Sequence, residues 1–141
     1  QSNYGAAKMA LVGLMQTLSI EGAKSDIRVN CLAPTAATRM TEGLLPPEVL
    51  EALKPEAVVP AMLVAVSEQA PSRMIFAAGA GTYEAAHVTL TKGVHLGLTP
   101  DTPERLAAAL EQVRDRSGET VPQVGGEQGR NEVGQALAAR R

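Results

Sequence analysis

Two short apolar runs, IRVNCLAP at residues 27–34 and RMIFAAGAG at residues 73–81, limit what this chain can fold into more than any other feature. A brief β-favouring run ended by a proline or a glycine turn fits a buried strand of a parallel sheet. Parallel neighbours need a crossover, usually helical, and the residues between the runs supply one. Over residues 57–68, Val59, Met62, Leu63 and Val66 share one helix face, and Pro60 is tolerated only in a first turn, so this helix starts no earlier than Glu56. A helix is also predicted ahead of the first run, over residues 4–23. Its buried face is Ala7, Leu11, Leu14, Met15 and Leu18, Ser2 or Asn3 caps it, and Gly22 marks its end. Thr102-Pro103-Glu104 opens a further helix over 102–116 with Leu106, Ala109, Leu110 and Val113 inward. The order helix–strand–helix–strand–helix is that of an α/β protein with right-handed crossovers.

Composition supports this class. The only aromatic residues are Tyr4, Phe76 and Tyr83, so the core is built from Ala, Val, Leu, Ile and Met, which suits helices on a parallel sheet better than a β-sandwich. Thirteen basic residues are interspersed with fifteen acidic ones, and base-stacking rings are nearly absent, which argues against nucleic acid as a partner. No apolar stretch approaches the ~20 residues needed to cross a bilayer, so no membrane partner is expected. One cysteine, Cys31, excludes an internal disulfide and four-cysteine metal sites. The opening QSNYGAAK, with no initiator Met, is expected of a truncated or processed cytoplasmic chain.

Three segments complete the outline. A short helix is predicted from Pro47 through Leu53, and residues 87–90 read as a further extended piece. From Gly118 the chain turns glycine-rich and loses periodicity, so residues 1–117 are expected to form the domain and 118–141 a flexible tail with at most a terminal helical turn.

Tyr4 and Lys8 carry the chemistry. Four residues apart at a helix start, they lie on one face about a turn from each other. A free phenol titrates near ~10 and is a poor acid–base catalyst at neutral pH; an ammonium beside it stabilises the phenolate and brings proton transfer within reach. Alone, Y-x-x-x-K recurs by chance, and a tyrosine ring packed beside a solvated lysine explains it as well.

Its surroundings do not recur by chance. NYGAAKMALVGL, IEGAKSDIRVNCLAP, PTAATRMTEGLLP, KPEAVVPAMLVAVS and MIFAAGAG follow one another in an order and spacing that closely resembles the short-chain dehydrogenase/reductase family, from residue 3 to about residue 116. The branch it is most similar to includes hydroxyacyl-CoA dehydrogenase units. The resemblance implies the C-terminal part of a Rossmann-type, doubly wound parallel sheet. It also implies an oxidoreductase that moves a hydride between NAD or NADP and a secondary alcohol or ketone. Tyr4 matches the family's general acid/base, and Lys8 the lysine that binds the nicotinamide ribose and favours the phenolate. Pro34 opens the segment whose backbone meets the nicotinamide carboxamide, with Ala36 and Ala37 as contacts. Residues 40–53 correspond to a substrate lid, whose Leu44, Leu45, Val49 and Leu50 could line an apolar pocket. Two positions depart from the pattern: Thr35 stands where many members have glycine, and Arg39 where many have a cofactor-contacting threonine. The family's glycine-rich loop, cofactor discriminator and catalytic serine have no counterpart here. The resemblance further implies a homo-oligomer, or a missing N-terminal half as the partner.

Other features read blandly. Cys31 is an inert buried thiol, His87 and His95 are too far apart to ligate a metal from one helix face, and Gly79-Ala80-Gly81 is a tight turn rather than a phosphate cradle. Two rivals to the enzyme remain open: a non-catalytic assembly or dimerisation fragment, using small residues such as Gly5, Ala6, Ala10 and Gly13, and an acyl-CoA or lipid-binding module using the apolar lid.

Overall fold

Cys31–Pro34 (β1) and Ile75–Gly79 (β2) pair in parallel, Cys31 opposite Ile75 and Pro34 opposite Ala78. The computed structural model describes residues 1–39, 41 and 43–140. β1 starts four residues later than the run at 27–34 suggests, because side chains replace the ladder at its entrance. Arg28 donates to the carbonyls of Glu68 and Ala70. Asn30 donates from Nδ2 to the Pro71 carbonyl at 2.7 Å and the Ala65 carbonyl at 3.3 Å, while its Oδ1 accepts the Met74 N–H at 3.0 Å. A buried or half-buried polar group must find a partner, and here the incoming segment binds the loop after the crossover instead of a neighbouring strand.

The two strands belong to the first of two compact units, Gln1–His87, and the second is Val88–Arg141. In the first unit, Ser2–Gly22 forms helix α1, Pro47–Ala52 α2 and Val59–Ala65 α3, with a 3₁₀ turn at Pro55–Val58 leading into α3. Proline sits in the first turn of both α2 and α3, where its missing N–H costs nothing. The N-cap of α1 is Gln1, and neither Ser2 nor Asn3 caps it; Asn3 Oδ1 instead accepts the Tyr4 N–H at 2.9 Å.

β2 separates two faces by strand alternation. Phe76 and Ala78 are buried against Val58 and Ala61, with Leu32, Ala36, Ala65 and Met74 around them; Ile75 and Ala77 face the opposite side, toward α1. Helices on both faces of the parallel pair are the arrangement expected of an α/β sheet. The buried face of α3 is not the expected one, however. Val59, Met62, Leu63 and Val66 are exposed, and the smaller Ala61 and Ala65 meet the sheet. The helix is apolar all round, so its period could not say which side turns inward.

β2 is also half of a hairpin absent from the sequence outline. Thr82–Ala86 forms β3, antiparallel to β2, giving the order β1-β2-β3. The connection is Ala80-Gly81, both at positive φ (50° and 76°), which is the two-residue turn that matches strand twist. Gly79-Ala80-Gly81 is thus a turn, as expected, and a strand rather than a helix follows it. All five β3 residues are exposed, which explains why no apolar run marked them. The extended piece expected at 87–90 reduces to a single bridge, Leu90 to Thr120.

In the second unit, the helix expected over 102–116 is two: Thr102–Ala108 (α4) and Leu110–Arg114 (α5), parting at buried Ala109. Leu106 and Leu110 of the expected inner face are exposed. The stretch expected to be a flexible tail holds a twelve-residue helix, Glu127–Ala138 (α6). Glu127 Oε1 reaches back to the N–H groups of Gln123 and Val124, a reciprocal of N-terminal capping. Gln135 and Asn131 both donate to the Lys92 carbonyl, at 2.8 and 3.3 Å. These bonds, and the bridge at Thr120, place residues 118–140 in one unit with residues 88–117 rather than apart from them.

Three outcomes follow. Ala80 holds a left-handed conformation that costs an L-residue ~1 kcal/mol, so Ala80→Gly should raise stability by roughly 0.5–1 kcal/mol in denaturant titration. Second, Arg116 bonds Glu119 through Nε (2.9 Å) and Nη2 (2.8 Å) and, with a smaller part from Thr89, holds that carboxyl below its usual range. A depressed folded value stabilises above the ordinary glutamate range, and the contribution is lost as pH falls through the lowered value. Acidification should therefore lower the protection of the Leu90 and Thr120 amides, measured as exchange relative to the intrinsic rate at each pH, and Glu119→Gln should lower it at neutral pH. Third, with no partner for the outer edge of β1 among the described residues and large apolar side chains exposed on α1 and α3, the 141-residue chain by itself should self-associate. A sharp monomer peak on size exclusion, with slowly exchanging amides in both strands, would contradict this.

Candidate active site

α1 sets Tyr4 and Lys8 one turn apart, with Lys8 Nζ 5.4 Å from the centroid of the Tyr4 ring, within reach of a cation–π attraction. Tyr4 is 62% exposed. The same helix face continues through Leu11 and Met15 onto β1, where Cys31 Sγ donates to the Leu11 carbonyl at 3.6 Å. Burial pushes the Cys31 thiol up from its ordinary value, but the residue expected to be buried is half-buried, at the first position of β1.

Between α1 and β1 lies a groove of about 720 Å³. Tyr4 and Lys8 line it together with Pro34 and Thr35, at and just beyond the C-terminal end of β1, and its floor includes Ile75 and Ala77 of β2. Ligands of open α/β sheets bind outside the C-terminal ends of parallel strands. Leu11, Met15 and Leu18 make much of the wall apolar.

The cofactor-contact candidates divide. Pro34 lines the groove. Ala36 packs against the Phe76 cluster on the other side of the sheet. The Ala37 N–H donates to the Leu53 carbonyl at 2.6 Å, tying this segment to the residue after α2. Of the proposed lid, Leu44 is 74% exposed, and neither it nor Leu45, Val49 or Leu50 lines the groove; Met40 lies outside the described residues. Thr38 and Thr41 hold the start of this stretch together, the Thr38 N–H donating to Thr41 Oγ1 and that hydroxyl donating back to the Thr38 carbonyl, both at 2.8 Å.

Sequence reasoning overlooked Asn30 and Thr35. Asn30 anchors the start of β1 through its bonds to Ala65, Pro71 and Met74. A polar amide in a run whose other polar residue is Arg28 was the available signal. Thr35 lies in the groove itself, and it registered only as a departure from the family pattern. Among the described residues no group of three or more His, Cys, Asp or Glu side chains could hold a metal ion, and no helix is long and apolar enough to cross a membrane.

Residues 1–48 match the family model of the short chain dehydrogenases. A short-chain type dehydrogenase/reductase of Mycobacterium tuberculosis is 42% identical over 122 residues, which cover 86% of this chain and 42% of that protein. The peroxisomal multifunctional enzyme type 2 of Mus musculus is 40% identical over 126 residues, 87% of this chain and 17% of that one. In the solved structure of the full-length peroxisomal multifunctional enzyme type 2 from Drosophila melanogaster, a region superposes with a TM-score of 0.78 and 29% identity, covering 99% of this chain and 25% of that one. The likeness thus continues past residue 116, where the sequence resemblance was expected to stop. The chain spans less than half the length of these relatives. By these matches, and by its parallel pair flanked by helices, the chain is similar over most of its length to short-chain dehydrogenases/reductases, and its residues 1–48 carry that family's pattern.

Proposed function

We propose that the chain is the C-terminal, proton-transferring part of an NAD- or NADP-dependent dehydrogenase that interconverts a secondary alcohol and a ketone. The observation that carries this reading is the shared groove. One phenol and one ammonium, a helical turn apart, open into the same apolar-walled space as the C-terminal end of β1. The residues present fit the reacting end of a nicotinamide cofactor. The Lys8 ammonium suits ribose hydroxyls, and the Ala37 N–H, here given to Leu53, is the donor a carboxamide would take in exchange. When bound, the cofactor accepts or supplies the hydride at carbon.

The chain's own residues then handle the proton. As the alcohol loses its hydride, the Tyr4 oxygen takes the hydroxyl proton; in reduction it returns a proton to the carbonyl oxygen. Lys8, with Nζ 5.4 Å from the centre of the Tyr4 ring, keeps a positive charge next to the reacting side chain. The apolar wall formed by Leu11, Met15 and Leu18 favours a substrate with a hydrocarbon part, and a hydroxyacyl thioester is our choice of class. A yeast relative, 42% identical over 118 residues, is named a peroxisomal hydratase-dehydrogenase-epimerase, which supports the dehydrogenase part of this reading. A second copy of the chain, or the remainder of a longer protein, is the proposed partner.

In the intact parent protein, Tyr4→Phe should lower turnover by roughly 10²–10⁴-fold while leaving cofactor affinity nearly unchanged, because the hydroxyl serves the chemical step. Lys8→Ala should harm both. Steady-state rates with fluorescence titration of the reduced cofactor measure the two effects, and turnover in Tyr4→Phe equal to the wild type would remove Tyr4 from the mechanism.

A further inference from the structure

Gly79 ends β2 directly beside the turn that leads out of β1. A Cβ built on Gly79 would stand 2.7 Å from the Thr35 carbonyl oxygen and 2.9 Å from Thr35 Cβ, closer than side-chain carbons approach either. The neighbouring atoms cannot easily yield. The Thr35 N–H is bonded to the Ala78 carbonyl at 2.8 Å, and two residues on the Ala37 N–H is bonded to the Leu53 carbonyl at 2.6 Å. Thr35 is therefore held from one side by the last rung of the ladder and rests on the bare Cα of Gly79 on the other.

We propose that Gly79 is a positioning residue for cofactor binding. By presenting no side chain, it lets the Thr35 peptide lie against β2, and this places the backbone of residues 35–37 where a nicotinamide carboxamide can bond it. The Thr35 Cβ has its space because the adjacent strand presents a glycine there. The inference rests on the cofactor reading above and adds a residue that touches neither substrate nor cofactor.

The test uses the intact parent protein, titrated with the reduced nicotinamide cofactor and, separately, with ADP-ribose, which has the same adenosine and pyrophosphate but no nicotinamide. Wild-type protein that binds neither would refute the cofactor reading itself. If the wild type binds both, Gly79→Ala should weaken the nicotinamide cofactor by roughly tenfold, the worth of one or two lost backbone hydrogen bonds, and leave ADP-ribose within about twofold, the scatter expected away from the contact. A general loss of structure would weaken both ligands alike. Adding Thr35→Gly to Gly79→Ala relieves the Cβ contact but not the carbonyl contact, so the selective loss should shrink without vanishing. Should the single variant fail to fold, the ligand pair is measured in the double variant. Equal affinities for both ligands before and after substitution, or equal losses for both, would overturn the proposal.

Discussion

A parallel ladder of four residue pairs, Cys31 to Pro34 against Ile75 to Ala78, is the constraint on which the first unit depends. Parallel strands cannot be joined by a tight turn, so the forty residues between them must leave one end of β1 and return to the start of β2. That requirement puts α2 and α3 where they are. The connection leaves from the C-terminal end of β1, with Ala36 packed on the Phe76 side of the sheet, and the groove lined by Tyr4 and Lys8 lies on the other side. The ladder is too short to hold register on its own strength. Its entrance is reinforced by Arg28 and Asn30, which satisfy the carbonyls of Ala65, Glu68, Ala70 and Pro71. Its exit is reinforced by the Thr35 N–H on Ala78 and by the closeness of Gly79.

The hydrophobic packing is lopsided. One side of the sheet has a small closed cluster of Val58, Ala61, Phe76 and Ala78. The other is covered by α1, of which only Met15 and Ser19 are buried. Helices that are apolar on every side belong inside larger assemblies, and Leu11, Leu14, Leu18 and Ile20 remain exposed here. A shallow sheet with an unpaired outer edge cannot cover a 21-residue helix. The same openness makes the groove wide and gives Tyr4 its exposure. The open groove and the exposed apolar surface of α1 thus share one cause, the small number of strands beneath it.

Electrostatics matter little to the fold. The ion pairs Arg28–Asp26, Arg114–Glu111 and Arg116–Glu119 join residues only two or three positions apart, each with at least one well-exposed partner, and water screens such pairs. Many of the bonds that join distant parts of the chain run from amide, guanidinium and hydroxyl groups to backbone carbonyls: Asn30 and Arg28 in the first unit, Thr91, Asn131 and Gln135 in the second.

By itself the sequence determined the element types along residues 2–79, the parallel relation of its two apolar runs, and the pairing of Tyr4 with Lys8. These follow from short-range rules: helical period, proline and glycine placement, and the reach of side chains four residues apart. It did not determine which side of α3 turns inward, because Val59, Met62, Leu63 and Val66 are as apolar as the face that Ala61 and Ala65 present, and only the close approach to Phe76 selects the smaller residues. Nor did it reveal β3, whose five exposed residues become a strand only because β2 offers a free edge across the Ala80-Gly81 turn. The helix at Glu127–Ala138 was hidden by its glycines and is held by bonds to Lys92, some forty residues away in sequence. The fit of Thr35 against Gly79 was invisible for the same reason. Forty-four positions separate them, and only pairing of the two strands brings a side chain on one against the missing side chain on the other.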